Sequence, residues 1–508
     1  MTLRKYPMPL KLPQGMSRRQ FLYWSTLAAM GTACGNDVTA TTTTAGPGTT
    51  TSAAVGTTGT TAAGVSTTAA GVSTTAGAGA AEPQVTFVEP REALSGELRI
   101  LLWSHFVPAH DTWFDPFVQE WGQQVGVNVT VDHIAVADVP AAIAAEIQSG
   151  QPQHDLMQYI AVLSQHEPST VDMADVVAEA ESRYGTMLEL CRRSSLNPNT
   201  GKYYAYAPAW VPDPGDYRRS LWEAVGMPDG PATYDDLLAG GSEIFSSEGV
   251  QLGIGMSQEI DSNMALRGLL WSFGAGIQDE NEEVIINSDA TIAAIEYMNE
   301  LFANAMTPEV FAWTAASNNQ GINSGELSYI LNSISAYRTA QAEGLEVADD
   351  IWFTPALEGP EAALVASHVM YNWIVPDAPD INVAAAQEFL LHYTENLAPV
   401  AWHSKLYDFP AFPDRAPDLT GWVDNDPFGS NPPDKLKVLN TALDWATNVG
   451  HPGPANPAVG QIFGESIIPV MFAEAAQGQK SPQQAVDDAE AQITAIFDDW
   501  RGQGLVGS

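Results

Sequence analysis

The chain has 508 residues, 45 % of them hydrophobic, which is enough for two to four domains with a sizeable apolar core. Its 61 Asp and Glu residues outnumber 21 Lys and Arg residues. The resulting formal net charge of -40 disfavours nucleic acids and anionic lipid surfaces as partners, because both would be repelled. The two cysteines, Cys34 and Cys191, provide neither a disulfide framework nor a thiolate metal site, and we predict no cofactor and no metal ligand.

The N-terminal region joins an arginine pair, a short apolar run and a cysteine in SRRQFLYWSTLAAMGTACG, residues 17–35. A basic segment followed by an apolar run is typical of an export signal. SRRQFL resembles the twin-arginine consensus, and MGTACG resembles the cleavage site of bacterial lipoproteins, which implies a lipid on Cys34. We predict an export signal over 1–33, starting at Met1 or Met16, with simple cleavage or an unprocessed thiol as alternatives at Cys34.

Residues 34–95 are predicted to form a flexible tether after the signal. No residue between 38 and 81 is charged, and Thr, Ala, Gly and Ser dominate this stretch. Such a composition buries too little apolar surface to offset the entropy of ordering the chain. As a flexible coil, this uncharged stretch would span about 36 Å from end to end. The tether would hold a folded body away from a membrane.

From residue 96 the pattern becomes that of an α/β protein. Strands are predicted at 97–104, 127–134 and 154–161, with helices at 110–126 and 136–150 between them. This alternation predicts a parallel sheet whose ligand crevice lies at the carboxyl ends of its strands. Neither glycine-rich phosphate motif follows the first strand, so a nucleotide is not the expected ligand.

A second series of strands and helices follows, and from residue 435 the chain is predicted to be nearly all helical. Thr233 is predicted to cap the helix that starts beside it. The predicted strands are 202–210, 251–257, 282–288, 327–333, 351–357 and 369–376, and the predicted helices are 217–227, 232–245, 263–274, 289–305 and 384–394.

Four stretches in this order resemble the maltose-binding-like, extracellular solute-binding proteins of ABC importers. They are PATYDDLLAGGSEIF, LLWSFGAGIQDENEEVIINSDATIAAIEYMNELFANAMTPE, INSGELSYILNSISAYRTA and AAQGQKSPQQAVDDAEAQITAIF. The resemblance implies two α/β lobes with a ligand cleft between them, lobe closure on a mono- or oligosaccharide, and delivery to a membrane permease. It further implies a monomeric binding protein, not an enzyme, on the extracytoplasmic face of the membrane.

On this chain the resemblance implies lobe 1 from 96–208 plus about 329–374, and lobe 2 from about 209–328 plus 375–508. The chain would cross between the lobes near 209–214, 328–332 and 373–376.

A sugar presents apolar C–H faces and a rim of hydroxyls, so its site needs flat aromatic rings and a few orienting polar groups. Aromatic and polar residues at strand ends and crossings are therefore the candidates, whereas Trp113 and Trp121 have helical spacing and are assigned to the core. The candidates are Trp103, His105, Tyr159, Trp210, Asp213, Trp271, Trp313, Asn332, Tyr371, Trp373 and Trp402.

Three other functions stay open at the level of sequence. A polyamine or other cation would need at least two cleft carboxylates facing aromatic rings. A secreted carbohydrate-active hydrolase would need two carboxyl groups about 5 to 10 Å apart across the cleft. A structural envelope lipoprotein would have no aromatic cleft. No HExxH, GxSxG or CxxC motif occurs, and we therefore predict no catalytic residues.

Overall fold

The computed structural model describes residues 80–366 and 369–507. The predicted export signal, Cys34 and the tether up to residue 79 lie outside the described residues. Within them, no helix is both long and apolar enough to cross a lipid bilayer.

Short strands and helices alternate along the described chain. The strands are β1 (Glu97–Trp103), β2 (Asn128–Ile134), β3 (Leu156–Tyr159), β4 (Leu196–Asn197), β5 (Lys202–Tyr203), β6 (Ala209–Val211), β7 (Gly215–Arg218), β8 (Gln251–Gly253), β9 (Leu327–Leu331), β10 (Ile351–Thr354), β11 (Val365–Ala366), β12 (Val369–Met370), β13 (Asn372–Ile374), β14 (Phe409–Pro410) and β15 (Ala446–Thr447).

The helices are α1 (Ala109–Val125), α2 (Val139–Ser149), α3 (Ala174–Tyr184), α4 (Glu189–Arg193), α5 (Arg219–Ala224), α6 (Tyr234–Glu248), α7 (Ile260–Ser272), α8 (Asp289–Ala305), α9 (Ser317–Ser324), α10 (Ser335–Glu343), α11 (Val347–Asp350), α12 (Val383–Glu395), α13 (Leu397–His403), α14 (Leu419–Asp424), α15 (Pro457–Gly464), α16 (Ile467–Ala476) and α17 (Pro482–Gly502). Single 3₁₀ segments span Val136–Asp138, Ser164–Ser169, Pro308–Phe311, Pro413–Arg415 and Lys437–Asp444.

The first sheet has the order β13-β3-β1-β2. Strand β1 pairs in parallel with both β2 and β3, as the alternating pattern predicts, and β13 joins β3 antiparallel. Helices α1 and α12 both contact this sheet. They pack on each other through Phe114, Phe117 and Trp121 against Phe389. The apolar run of β1 is therefore buried.

The second sheet has the order β10-β7-β9-β8, in which β8 and β9 are parallel and β7 pairs antiparallel with β9 and β10. Helix α6 starts with the capping box that the sequence suggests, because the Thr233 hydroxyl accepts from the backbone N–H of Asp236 at 3.0 Å. The predicted strand at 282–288 does not form. A single bridge between Gln278 and Val284 closes a turn there instead.

The sheet pairing differs from the predicted lobe boundaries. Strand β10 and most of β9 are predicted to belong to lobe 1, yet both strands are hydrogen-bonded to β7 in the second sheet. Helices α12 and α13 were assigned to lobe 2, yet they contact α3, β1 and α1 around the first sheet. A strand–helix pattern does not reveal which sheet a strand joins, because that depends on pairing with distant residues.

The crossings shift accordingly. The crossing predicted near 209–214 comprises β6 and the residues that lead from it to β7. The segment 328–332 lies largely within β9, and 373–376 overlaps β13. The chain returns from the second sheet to the first between Thr354 and Asn372. There β12 pairs with β6, which also pairs with β14 in a small three-stranded sheet.

A buried ion pair joins α10 to the segment after α14. Arg338 donates to both carboxylate oxygens of Asp426, at 2.8 and 3.1 Å, and the two side chains are 1 % and 0 % exposed. Burial alone would raise the pKa of Asp426, but the hydrogen bonds and charge of Arg338 outweigh it and lower the pKa. The ionised pair is thus part of the folded state.

The substitution Asp426→Asn is expected to lower the free energy of unfolding by about 3–5 kcal/mol, because it leaves the Arg338 charge buried without its partner. Since the folded pKa lies below the unfolded value of about 3.9, this contribution is present above about pH 4 and is lost as the pH falls through the folded pKa. Urea unfolding between pH 3 and 7 measures both effects. Glu283→Gln, in the exposed pair with Arg501 at 3.4 Å, is the control and should cost less than about 1 kcal/mol. Equal costs for the two variants would contradict the prediction.

Candidate functional site

A cavity of about 340 Å³ lies between the elements around the first sheet and those around the second. The first wall follows β3 and the start of α2: Val136, Ala137, Pro140, Ala141, Tyr159, Val162, Leu163 and Gln165. The second wall comes from the start of α7, the 313–315 loop and the α15–α16 junction: Gln258, Glu259, Ile260, Asn263, Trp313, Thr314, Ala315, Gly460, Phe463, Gly464 and Ser466. The cavity thus lies at the carboxyl end of β3, where an α/β sheet is expected to bind its ligand.

Trp313 is held in the second wall by the loop that follows β8. The Ser257 hydroxyl donates to the Trp313 carbonyl at 2.8 Å. A side chain at Gly255 would place its Cβ 2.4 Å from the Ser262 hydroxyl and 3.4 Å from the Trp313 ring. Glycine is therefore needed for this close approach, which supports the indole beside the cavity.

Glu259 caps the N-terminus of α7. Its carboxyl group accepts from the backbone N–H groups of Asp261 and Ser262 at 2.7 and 2.6 Å. Burial, helped by the neighbouring carboxylate of Asp261, raises the pKa of Glu259 to about 8. At neutral pH this carboxyl group is mostly protonated and offers an uncharged polar contact to a ligand.

Asn263, one turn further along α7, is oriented by a buried arginine. Arg267 donates to the Asn263 amide oxygen at 2.7 Å, and its guanidinium lies 4.9 Å from the Phe463 ring centroid. Burial lowers the pKa of Arg267 to about 9. The Asn263 amide nitrogen donates to Ser466 at 3.3 Å, a residue with a left-handed backbone (φ 54°). These contacts fix the polar part of the second wall before any ligand arrives.

The first wall approaches the second closely at its base. A Cβ at Gly460 would lie 2.5 Å from both the Gln165 amide oxygen and the Ser164 hydroxyl. The Ser164 hydroxyl donates to the Asn456 carbonyl at 2.7 Å. Burial, followed by the negative charges of Glu259 and Asp261, raises the pKa of Tyr159. Tyr159 and Glu259 thus line the same cavity from opposite walls.

Two of the predicted ligand-binding residues, Tyr159 and Trp313, line this cavity. Trp103, His105 and Tyr371 do not. They form a buried cluster in which the Trp103 ring stacks on His105 at 4.8 Å and on Tyr371 at 6.3 Å between centroids.

Trp210, Trp373 and Asp213 are also buried, with 2 %, 0 % and 3 % of their surface exposed. Trp210 packs edge-on against Phe409, and Trp373 packs against Phe114. These two indole rings therefore do not line the cavity, because their short strands are covered on both faces.

Trp271, Asn332 and Trp402 complete the set that lies away from the cavity. Trp271 packs edge-on against His451, and Trp402 packs against Trp422. Asn332 is 4 % exposed and donates to Ser335 at 3.3 Å within the protein. Each of these three side chains thus has its own partner within the protein, away from the cavity.

The sequence analysis missed Gln165, Glu259, Asn263 and Phe463 in the cavity walls. Glu259 had a usable signal, because the mostly polar stretch 257–263 follows β8 and so marks the carboxyl end of a strand. Phe463 had none, since an apolar residue in a helix usually indicates core.

A second groove, of about 660 Å³, lies on one side of α1, between Trp113 and residues 85–87. Trp113 stacks on Phe117 and His403 there, so it lines a surface groove, while Trp121 is 1 % exposed as predicted. This groove is built around the first sheet alone, whereas the cavity has walls from both halves.

The fold is that of the two-lobed periplasmic binding proteins. The chain superposes on a provisionally assigned oligosaccharide periplasmic-binding protein from Synechococcus sp. MITs9220, crystallised in complex with zinc (18 % identity, TM-score 0.68, 79 % of this chain and 100 % of that one). It superposes similarly on maltose-bound MalE3 of T. maritima (15 % identity, TM-score 0.65, 79 % of this chain and 100 % of that one). A third match is a sugar transporter from Arthrobacter chlorophenolicus A6 with bound laminaribiose (17 % identity, TM-score 0.64, 79 % of this chain and 99 % of that one).

Residues 113–428 match the model of the bacterial extracellular solute-binding protein family, and the chain belongs to that family. It is accordingly an extracytoplasmic binding protein and not an enzyme. No protein of curated function shows significant sequence similarity to it.

Glu259→Gln tests the protonation of the cavity carboxyl. Between the unfolded pKa of about 4.3 and the folded pKa of about 8, the folded state holds a proton that the unfolded state releases. The free energy of unfolding should therefore fall as the pH rises through this window, by at most about 1.4 kcal/mol per pH unit. Glu259→Gln should flatten this slope, measured by urea unfolding from pH 4.5 to 8.5. The exposed Glu280→Gln is the control. An unchanged slope in Glu259→Gln would refute the assignment.

Proposed function

We propose that this protein captures a monosaccharide or short oligosaccharide by closing its two lobes and delivers it to the membrane permease of an ABC importer. The observation that carries the proposal is the cavity between the halves, which combines the rings of Tyr159, Trp313 and Phe463 with uncharged polar groups. Apolar sugar faces stack on rings, and hydroxyls need donors and acceptors. At about 340 Å³ the cavity is at the lower end of small-molecule sites, which favours a short saccharide.

Gln165, Asn263 and the carboxyl group of Glu259 supply those donors and acceptors from both walls. A ligand that contacts both walls binds the closed arrangement better and therefore increases its population. The maltose of the T. maritima protein and the laminaribiose of the Arthrobacter transporter support the choice of a sugar.

A cationic solute is the second candidate, because Glu259 lines the cavity together with the rings of Tyr159 and Trp313, and Asp261 is its neighbour at the start of α7. The raised pKa of Glu259 weighs against it, since a mostly protonated carboxyl group attracts a cation weakly. A hydrolase is disfavoured by the same wall. Both carboxylates belong to the start of α7, and no Asp or Glu of the described residues lines the opposite wall.

Ligand binding should depend on Trp313 and not on Trp402, a half-buried tryptophan outside the cavity. A thermal-shift screen with mono- and disaccharides, polyols, amino acids and spermidine identifies the ligand, which at 100 times its Kd should stabilise by about 2.7 kcal/mol. Calorimetry should then show at least about tenfold weaker binding (about 1.4 kcal/mol) for Trp313→Ala and unchanged binding for Trp402→Ala. A rise in Tm with spermidine and none with saccharides would contradict the sugar proposal and support a cationic solute.

We further propose that the protein is exported by the twin-arginine route and anchored through a lipid on Cys34. The support is the sequence around the arginine pair and the long uncharged stretch that follows it. The lipid would keep the binding protein in the membrane that holds its permease. The flexible tether would let the folded body reach that permease.

Cys34→Ser should move the protein from the membrane fraction to the soluble extracytoplasmic fraction, because the lipid acceptor is lost. Cys191→Ala is the control, since Cys191 is buried in the body and should leave the fractionation unchanged. Replacing both Arg18 and Arg19 with lysine should block export. Immunoblots of separated fractions measure all three. Membrane retention of Cys34→Ser at the wild-type level would exclude the anchor.

A further inference from the structure

A cluster of two histidines and one carboxylate lies away from the sugar cavity. His105, His110 and Asp408 each offer a ligand atom, and these atoms lie within 4.8 Å of one another. The three residues are 5 %, 6 % and 1 % exposed. We propose that this cluster binds a divalent transition metal ion, with Zn²⁺ as the preferred ion and the Tyr371 hydroxyl as a further oxygen beside it.

The strongest indication is a pair of facing acceptors without partners. His110 Nδ1 lies 3.2 Å from a carboxylate oxygen of Asp111, so a proton on Nδ1 is donated there and leaves a lone pair on Nε2. That Nε2 lies 3.9 Å from Asp408 Oδ2, and neither atom has a hydrogen-bond partner among the described residues. The distance is too long for a hydrogen bond. Two buried lone pairs facing each other cost free energy that a cation between them removes.

The spacing suits a small ion. Tetrahedral zinc with bonds of about 2.0–2.2 Å holds its ligand atoms about 3.4 Å apart. His105 Nε2 lies 3.5 Å from Asp408 Oδ1, and the other nitrogen–oxygen distance of 3.9 Å requires only a small inward shift. The Tyr371 hydroxyl lies 3.1 Å from His105 Nε2 and donates to Asp408 Oδ1.

The surrounding groups match those that support metal-binding histidines. Asp111 holds His110 and also accepts from the backbone N–H of His105 at 2.9 Å. His105 Nδ1 lies 2.9 Å from the Val107 N–H and 3.1 Å from the Val107 carbonyl. Without metal Nδ1 accepts from that N–H; with metal on Nε2 it carries the proton and donates to the carbonyl. Carboxylates and carbonyls are the usual partners of the second nitrogen of such histidines.

A polar path connects the cluster with the surface. His133 Nδ1 lies 3.6 Å from Asp111, and His133 Nε2 lies 2.8 Å from Asp115, whose side chain is 42 % exposed. An ion can thus reach the buried site along carboxylates and an imidazole.

The ion would tie together three segments that are distant in sequence. They are the stretch from the end of β1 to the first turn of α1, the residue between β12 and β13, and the segment from α13 to β14. None of the ligands lines the sugar cavity, so the metal's role is to fix the first half beside its crossing. The proposal does not depend on which solute is bound.

The test is metal binding by the full chain, produced without a polyhistidine tag and stripped with a chelator. Titration with Zn²⁺ should give one tight site per molecule and raise the Tm by a few degrees. Co²⁺ should give the visible d–d bands of a four-coordinate N/O site. His110→Gln and Asp408→Asn should each weaken Zn²⁺ binding at least about 100-fold. Asp111→Asn, which only positions His110, should weaken it about 10–100-fold without removing the site.

His154→Gln is the matched control, because His154 also lies between two carboxylates, Asp132 and Glu146, but near the surface. It should leave the tight site unchanged. Circular dichroism of the metal-free variants shows which of them fold. If neither His110→Gln nor Asp408→Asn folds, the Zn²⁺ affinity of Asp111→Asn decides the proposal. Absence of stoichiometric Zn²⁺ binding by the wild type, or binding of wild-type strength in the folded His110, Asp408 and Asp111 variants, would overturn the proposal. Loss of the tight site in His154→Gln would also overturn it.

Discussion

Parallel pairing of β1 with β2 and β3 determines where the cavity between the two halves of this protein lies. Parallel strands end on the same side of a sheet, so the residues after each strand meet at one edge, and Tyr159 at the end of β3 lines the cavity for this reason. The second sheet contributes the opposite wall from the segment after β8. Close contact between the halves at Gly460 then requires a residue without a side chain.

The second wall of the cavity combines aromatic rings with buried polar groups that hydrogen-bond within the protein. Helix α7 is buried along its whole length, so its first residues must satisfy their backbone N–H groups internally, and Glu259 does so. The same burial keeps this carboxyl group mostly protonated at neutral pH, which suits a neutral ligand. Arg267 uses its buried charge to orient Asn263 and to pack on Phe463. The polar part of this wall is thus held in place by groups that do not all line the cavity.

Several basic and imidazole side chains of this acidic chain form buried contacts with carboxylates outside the cavity. Arg338 and Asp426 form a bidentate pair with almost no exposure, which joins segments far apart in sequence. His105 and His110 meet Asp408 beside the crossing between the sheets. Such buried polar groups are costly unless they are paired, so each one fixes a particular arrangement of its segments.

The sequence by itself determined most of the local elements, the parallel pairing of β1, β2 and β3 and the α/β class, because periodicity, the Thr233 cap and glycine stops are local signals. Only the tertiary structure decided that β9 and β10 join the second sheet, since strand pairing is a contact between distant residues. It also decided that Trp210 and Trp373 are buried, whereas Trp313 lines the cavity. An indole at a strand end can face a ligand or a helix, and the layer packed over it makes that choice. The grouping of His105 and His110 with Asp408, about 300 residues apart, has the same origin.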